Sequence, residues 1–163
     1  MPLIHISLRA GKSEAYRQAI FDSLYRAMRE ALDVPEDDQF MTIREHEPAN
    51  FRYSASCYGV SRSEDVVYIQ ITVFNTRTAE QKKALFRRTA ELLGESPGIR
   101  PENVFVNILE SAKENWSVGD GVAQFAWGEK RDFATMSTDA GRASICAPVN
   151  HDAADPSGLT RGR

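Results

Sequence analysis

The strongest constraint on this fold is a duplication inside the chain. Residues Pro2-Leu3-Ile4-His5-Ile6-Ser7-Leu8 alternate apolar and polar, the period of a half-buried strand. A polar stretch with Ser13 as a cap follows. Tyr16, Ile20, Leu24, Ala27, Met28 and Ala31 then recur at helical spacing, which puts them on one face. The helix is expected to stop before Val34-Pro35, because proline disfavours helical geometry in the residue ahead of it. Gln39 to Arg44 reads as a second strand and closes a β-α-β unit.

The same order returns about 65 residues later. Val66 to Val73 reads as a strand, Thr78 as a cap and Glu80 to Leu93 as an amphipathic helix bearing Leu85, Phe86, Ala90 and Leu93. Pro101 to Ile108 repeats the turn and closing strand. Ile4 matches Ile69, Ile6 matches Ile71, Ala19 matches Ala84, Phe40 matches Phe105 and Glu45 matches Glu110. One half alone offers a helix only one face of a two-stranded sheet. The expected fold is therefore α+β: a duplicated β-α-β unit forming a four-stranded sheet with both helices on one face. The repeats run over about 2–46 and 66–110, and an irregular loop with room for a short hairpin joins them from Glu47 to Asp65.

The 163 residues suit one domain, placed here at 1–129. From 130 to 163 the sequence mixes Ala, Asp, Gly, Ser, Thr and Arg with few large apolar residues, and reads as a disordered C-terminal tail. A net charge of -3 gives no electrostatic argument for nucleic acid. No window approaches the ~18 apolar residues of a membrane helix, and no secretory leader is evident. Two cysteines, Cys57 and Cys146, fit a reducing, cytoplasmic setting without disulfides.

Several separated stretches together resemble the tautomerase superfamily, and within it the malonate semialdehyde decarboxylase branch. They are Pro2-Leu3-Ile4, Val34-Pro35-Glu36-Asp37-Asp38, Ile69-Gln70-Ile71-Thr72, Arg77-Thr78-Ala79-Glu80-Gln81-Lys82, and Trp116 to Phe125. The resemblance covers Pro2 to about Glu129. It implies a homotrimer with three equivalent sites near subunit boundaries, a small carboxylate-bearing keto or enol substrate, and neither a metal nor an organic cofactor.

Pro2 then gains a chemical meaning. Removal of Met1 would free a pyrrolidine nitrogen, whose α-amino reference pKa is about 7.7–8.0. An apolar pocket or a nearby cation lowers that value and yields a neutral general base, fit to move a proton between carbon and an enol oxygen. A cationic proline would instead act as acid in a hydratase or decarboxylase acting on a 3-oxo acid. By resemblance, Arg77 holds the substrate carboxylate, Asp38 is the acidic residue beside the proline (with Asp37 the fallback), and Trp116 is an aromatic wall. The best-known decarboxylases carry two arginines where Phe74 and Thr76 stand here. One cation and one phenyl ring favour a more apolar monocarboxylate, such as phenylenolpyruvate, with Phe74 and Trp116 in the substrate pocket. A non-catalytic binding protein on the same scaffold is the third possibility, because a fold does not fix a function.

Other residues carry blander expectations. Lys12, the counterpart of Arg77 in the first repeat, reads as structural or solvated. His5 reads as a paired sheet histidine. His46 lacks companions for a metal site. Gly119 and Gly121 shape a turn rather than a phosphate loop.

Overall fold

The computed structural model describes residues 2–126, so the expected tail and Cys146 lie outside the described residues. Strand β1 spans Pro2–Arg9, helix α1 Glu14–Leu32 and strand β2 Met41–His46. A small hairpin, β3 (Ser56–Cys57) and β4 (Val60–Ser61), lies in the linker. Strand β5 (Val67–Phe74), helix α2 (Ala79–Glu95) and strand β6 (Val104–Ser111) form the second unit.

Local chemistry sets the helix boundaries. The Ser13 hydroxyl accepts from the Tyr16 amide, and Thr78 forms a reciprocal capping box with Gln81. Helix α1 ends at Asp33, which takes a left-handed φ of 51° just before Val34-Pro35. The hairpin turns through Tyr58 and Gly59, with φ values of 54° and 75°, a two-residue turn that needs positive φ at both positions.

The sheet order is β2-β1-β5-β6. Its outer pairings are parallel, with Ile4 opposite Met41 and Val67 opposite Val104. The central pairing of β1 with β5 is antiparallel, with Pro2 opposite Val73 and His5 opposite Gln70. The two units are thus related by a pseudo-twofold axis through the middle of the sheet. Matched residues take matched roles: Arg17 pairs with Glu45 at 3.1 Å, and their repeat counterparts Lys82 and Glu110 pair at 2.7 Å.

Alternation along β1 and β5 sends Ile4, Ile6, Leu8, Ile69, Ile71 and Val73 into the core. There they meet Ile20, Leu24, Ala27 and Met28 of α1 and Leu85, Leu92 and Leu93 of α2. Both helices lie on one face, as the duplication requires. Across the helix layer Arg88 donates to Glu30, which also accepts from Arg26 at 2.7 Å. Those two guanidinium partners, Arg88 first, hold the Glu30 carboxyl below its ordinary range.

Two details depart from the expected pattern. Phe86 is 39% exposed, because α2 turns Thr89 and Leu92 to the core instead. Strand β2 starts at Met41 rather than Gln39, although the Ile4 amide still donates to the Phe40 carbonyl at 2.9 Å. Among the described residues, no helix is long and apolar enough to cross a membrane.

Candidate active site

Pro2 is the first residue of β1 and is buried. Proline suits a strand's first position, where a missing amide hydrogen costs no ladder bond. The bond from Ile4 to Phe40 draws the chain before β2 alongside this end of β1, which carries Asp38 to the same edge. There the Asp38 amide donates to the Pro35 carbonyl at 3.2 Å, closing a turn.

Phe74 ends β5, one residue beyond Val73, the partner of Pro2. Its ring meets Trp116 edge-on at 5.5 Å between centroids and Phe125 at 5.0 Å. Trp116 is delivered by a 3-10 turn over Lys113–Asn115, and its amide donates to the Lys113 carbonyl at 3.3 Å. These edge-to-face contacts fix an apolar wall near the strand end. Phe74 and Trp116, both singled out from the sequence, pack against each other, and Phe125 joins them as a member that strand and helix patterns gave no means of placing.

Arg77 follows β5 and sits just before the α2 cap. Its Nη1 donates to the Leu32 carbonyl at 2.8 Å. That carbonyl belongs to the last turn of α1, the negative end of the helix dipole, so a cation is well placed there. Its Nε is buried and has no hydrogen-bond partner among the described residues. The guanidinium is therefore clamped on one side and carries an unsatisfied donor on the other. The Trp116 indole Nε1 is likewise buried without a hydrogen-bond partner among the described residues. Leaving a buried donor unpaired costs about 1–3 kcal/mol, and an acceptor oxygen of a ligand would remove that cost.

The remaining predicted residues stand elsewhere. His5 Nδ1 lies 2.9 Å from the Thr42 hydroxyl within the sheet. His46 stacks on Phe51 at 5.6 Å, and among the described residues no group of three or more His, Cys, Asp or Glu side chains is placed to hold a metal. The Val122 amide donates to the Gly119 carbonyl at 3.3 Å in a turn where Gly119 and Gly121 have φ values of 154° and 67°. Lys12 forms an ion pair with Asp65 at 2.5 Å. That hydrogen bond holds the ammonium above its ordinary pKa.

Known proteins are similar to this chain in sequence and in fold. Two family models, each described as tautomerase enzyme, match residues 2–53 and 38–119. The probable tautomerase YusQ of Bacillus subtilis (strain 168) is 40% identical over 124 residues, covering 76% of this chain and 98% of that protein. Malonate semialdehyde decarboxylase, whose structures address its decarboxylase and hydratase activities, is 29% identical with a TM-score of 0.71, over 76% of this chain and 95% of that one. Fused 4-OT, solved as a symmetric trimer, is 20% identical with a TM-score of 0.65, over 78% and 99% of the two chains, and shares the fold. With its duplicated β-α-β sheet, a proline at the head of β1, and near-full-length similarity to such relatives, the chain belongs to the tautomerase family of enzymes.

Proposed function

We propose that this enzyme interconverts the keto and enol forms of a 2-keto acid, without a cofactor, using Pro2 as general base once Met1 is removed. The observation that carries this reading is the state of Arg77: fixed by Leu32, with a buried Nε donor unsatisfied among the described residues. Such a group binds a carboxylate in a known orientation and withdraws electron density as an enolate develops. The cluster of Phe74, Trp116 and Phe125 supplies the apolar surroundings that keep a secondary amine neutral. A single arginine anchor together with an aromatic cluster suits a monocarboxylate with an aromatic or apolar tail, phenylenolpyruvate being the type.

In the reaction, the neutral Pro2 nitrogen takes the enol hydroxyl proton while the carbonyl forms. The resulting ammonium returns a proton to the adjacent carbon, so the amine ends as it began. Arg77 holds the carboxylate throughout. The Trp116 indole hydrogen is a donor for the oxygen that carries charge. The reading is tested by ketonisation of phenylenolpyruvate, followed by the loss of enol absorbance. Pro2→Ala should lower the rate ~100-fold or more, the scale of a positioned base. Unchanged activity overturns it.

A second reading has one specific support, the similarity to malonate semialdehyde decarboxylase. With a cationic Pro2 and Asp38 active, the same site would hydrate or decarboxylate a 3-oxo acid. The two are separated by the pH profile. A base mechanism rises as the amine loses its proton, and an acid mechanism falls.

Assembly as a homotrimer forms part of the proposal. The sheet face turned away from the helices carries Phe105 and Leu109, 48% and 45% exposed in the single chain. A cavity of about 450 Å³ beside Tyr68 and Phe105 gives that face a recess for a neighbouring copy. Fused 4-OT forms trimers on this fold. Analytical ultracentrifugation should give three times the chain mass, and a monomer would refute the assembly.

A further inference from the structure

The pseudo-twofold axis that relates the two units must give every residue at the Pro2 edge a counterpart at the opposite end of the central strands. One repeat away from Arg77 stands Lys12, from Phe74 stands Arg9, from Asp38 stands Asn103, and from Trp116 stands Phe51. The correspondence holds in structure as well as in numbering. Ser13 and Thr78 cap the helices just after Lys12 and Arg77, and Phe51 and Trp116 each follow a 3-10 turn.

At that second end a piece of the chain lies across the counterparts. Asp65 pairs with Lys12 at 2.5 Å, and Glu64 pairs with Arg9 at 2.6 Å. Asn103 holds Ser63 twice, accepting from its amide at 2.8 Å and donating to its hydroxyl at 2.8 Å. Three consecutive residues are thus fastened to the counterparts of Asp38, Phe74 and Arg77. Isolated surface ion pairs arise anywhere on a protein and contribute little. Three anchors on three symmetry-matched residues, including a buried asparagine, are a different kind of observation.

We propose that the Lys12 end is a second carboxylate-binding site, equivalent in build to the Arg77 site and held shut by the chain's own segment Ser63–Asp65. Asp65 stands in the seat where a ligand carboxylate would meet Lys12, and Glu64 fills a second anionic seat on Arg9. With two cations, the open site takes a small dicarboxylate. Arg77 has Phe74 where Lys12 has Arg9, so the two ends differ in the number of anionic groups they accept. The proposal depends on the repeat and the ion pairs, and it stands whether or not Pro2 performs tautomerisation.

The test uses the full chain with Arg77→Met, so that malonate binding at the Pro2 end does not enter. In that background, Glu64→Ala with Asp65→Ala should bind malonate at least tenfold more tightly than the chain with both acids intact, at one malonate per chain by isothermal calorimetry. Adding Lys12→Met should abolish the gain. If the alanine pair does not fold, Glu64→Gln with Asp65→Asn keeps the shape of the segment while removing its charge, and the same titration applies. No gain in affinity, or a gain that survives Lys12→Met, overturns the proposal. Either result leaves the Pro2 mechanism untouched, because that rests on ketonisation by the chain with Arg77 in place.

Discussion

His5 and Gln70 face each other across the antiparallel pair of β1 and β5, and they are also one repeat apart. A residue that opposes its own counterpart marks the pseudo-twofold axis. The molecule is symmetric about that pair in strand pairing and in the position of its helix N-caps, and asymmetric in the side chains at its two ends. Pro2 and Arg77 stand at one end, Val67 and Lys12 at the other.

Intact mass spectrometry should give a chain lighter by one methionine, with Pro2 at the N-terminus. A retained Met1 leaves the nitrogen in an amide with no basic lone pair, and would favour a binding role over catalysis.

Arg77→Lys keeps the charge but not the geometry. One ammonium cannot both reach the Leu32 carbonyl and offer a planar pair of donors to a carboxylate. Losing a charge-assisted hydrogen bond of about 1.5–3 kcal/mol should lower kcat/KM roughly 10–100-fold. The measurement is steady-state kinetics on phenylenolpyruvate. An unaltered kcat/KM would remove Arg77 from the site.

Phe74→Ala strips one ring from contacts of 5.5 Å and 5.0 Å with Trp116 and Phe125. Wetter surroundings raise the pKa of the Pro2 amine, because water favours its charged form. The rising limb of the pH-rate profile should therefore move to higher pH. A limb that stays in place would show that the rings do not control the amine.

Stability should depend on pH through Glu30. Its folded pKa is lowered by Arg88 and then Arg26, so its contribution is present above the unfolded carboxyl value of about 4.3 and is lost as pH falls through the folded value. Glu30→Gln should lower Tm at pH 7, and the gap from the parent should close on acidification. Melting curves followed by circular dichroism across that window decide it.

Much of this architecture was legible because duplication checks itself: Ile4 and Ile6 predicted the burial of Ile69 and Ile71, and both sets lie in the core. Helix α2 was less legible at Phe86. One step along a helix turns a side chain by about 100°, and the presence of polar Thr89 on the buried face disguises the true stripe. Arg77 could be singled out by resemblance, but its clamp could not. The acceptor is a backbone carbonyl of Leu32 in the other repeat, and no side-chain pattern encodes it. The Lys12 ion pair was hidden likewise, since Asp65 lay in a linker without periodicity.

The hairpin turn at Tyr58 and Gly59, where Tyr58 is 99% exposed, stands between two halves that meet along the antiparallel seam of β1 and β5, in a shared helix layer, and through the Arg77–Leu32, Lys12–Asp65 and Arg9–Glu64 contacts. A break at that turn would sever no strand pairing of the four-stranded sheet. Two separately made polypeptides would each keep an intact β-α-β unit and present the other with its missing partner surface. In terms of assembly, each half would supply the surface that the other lacks, and the linker keeps the two in equal number.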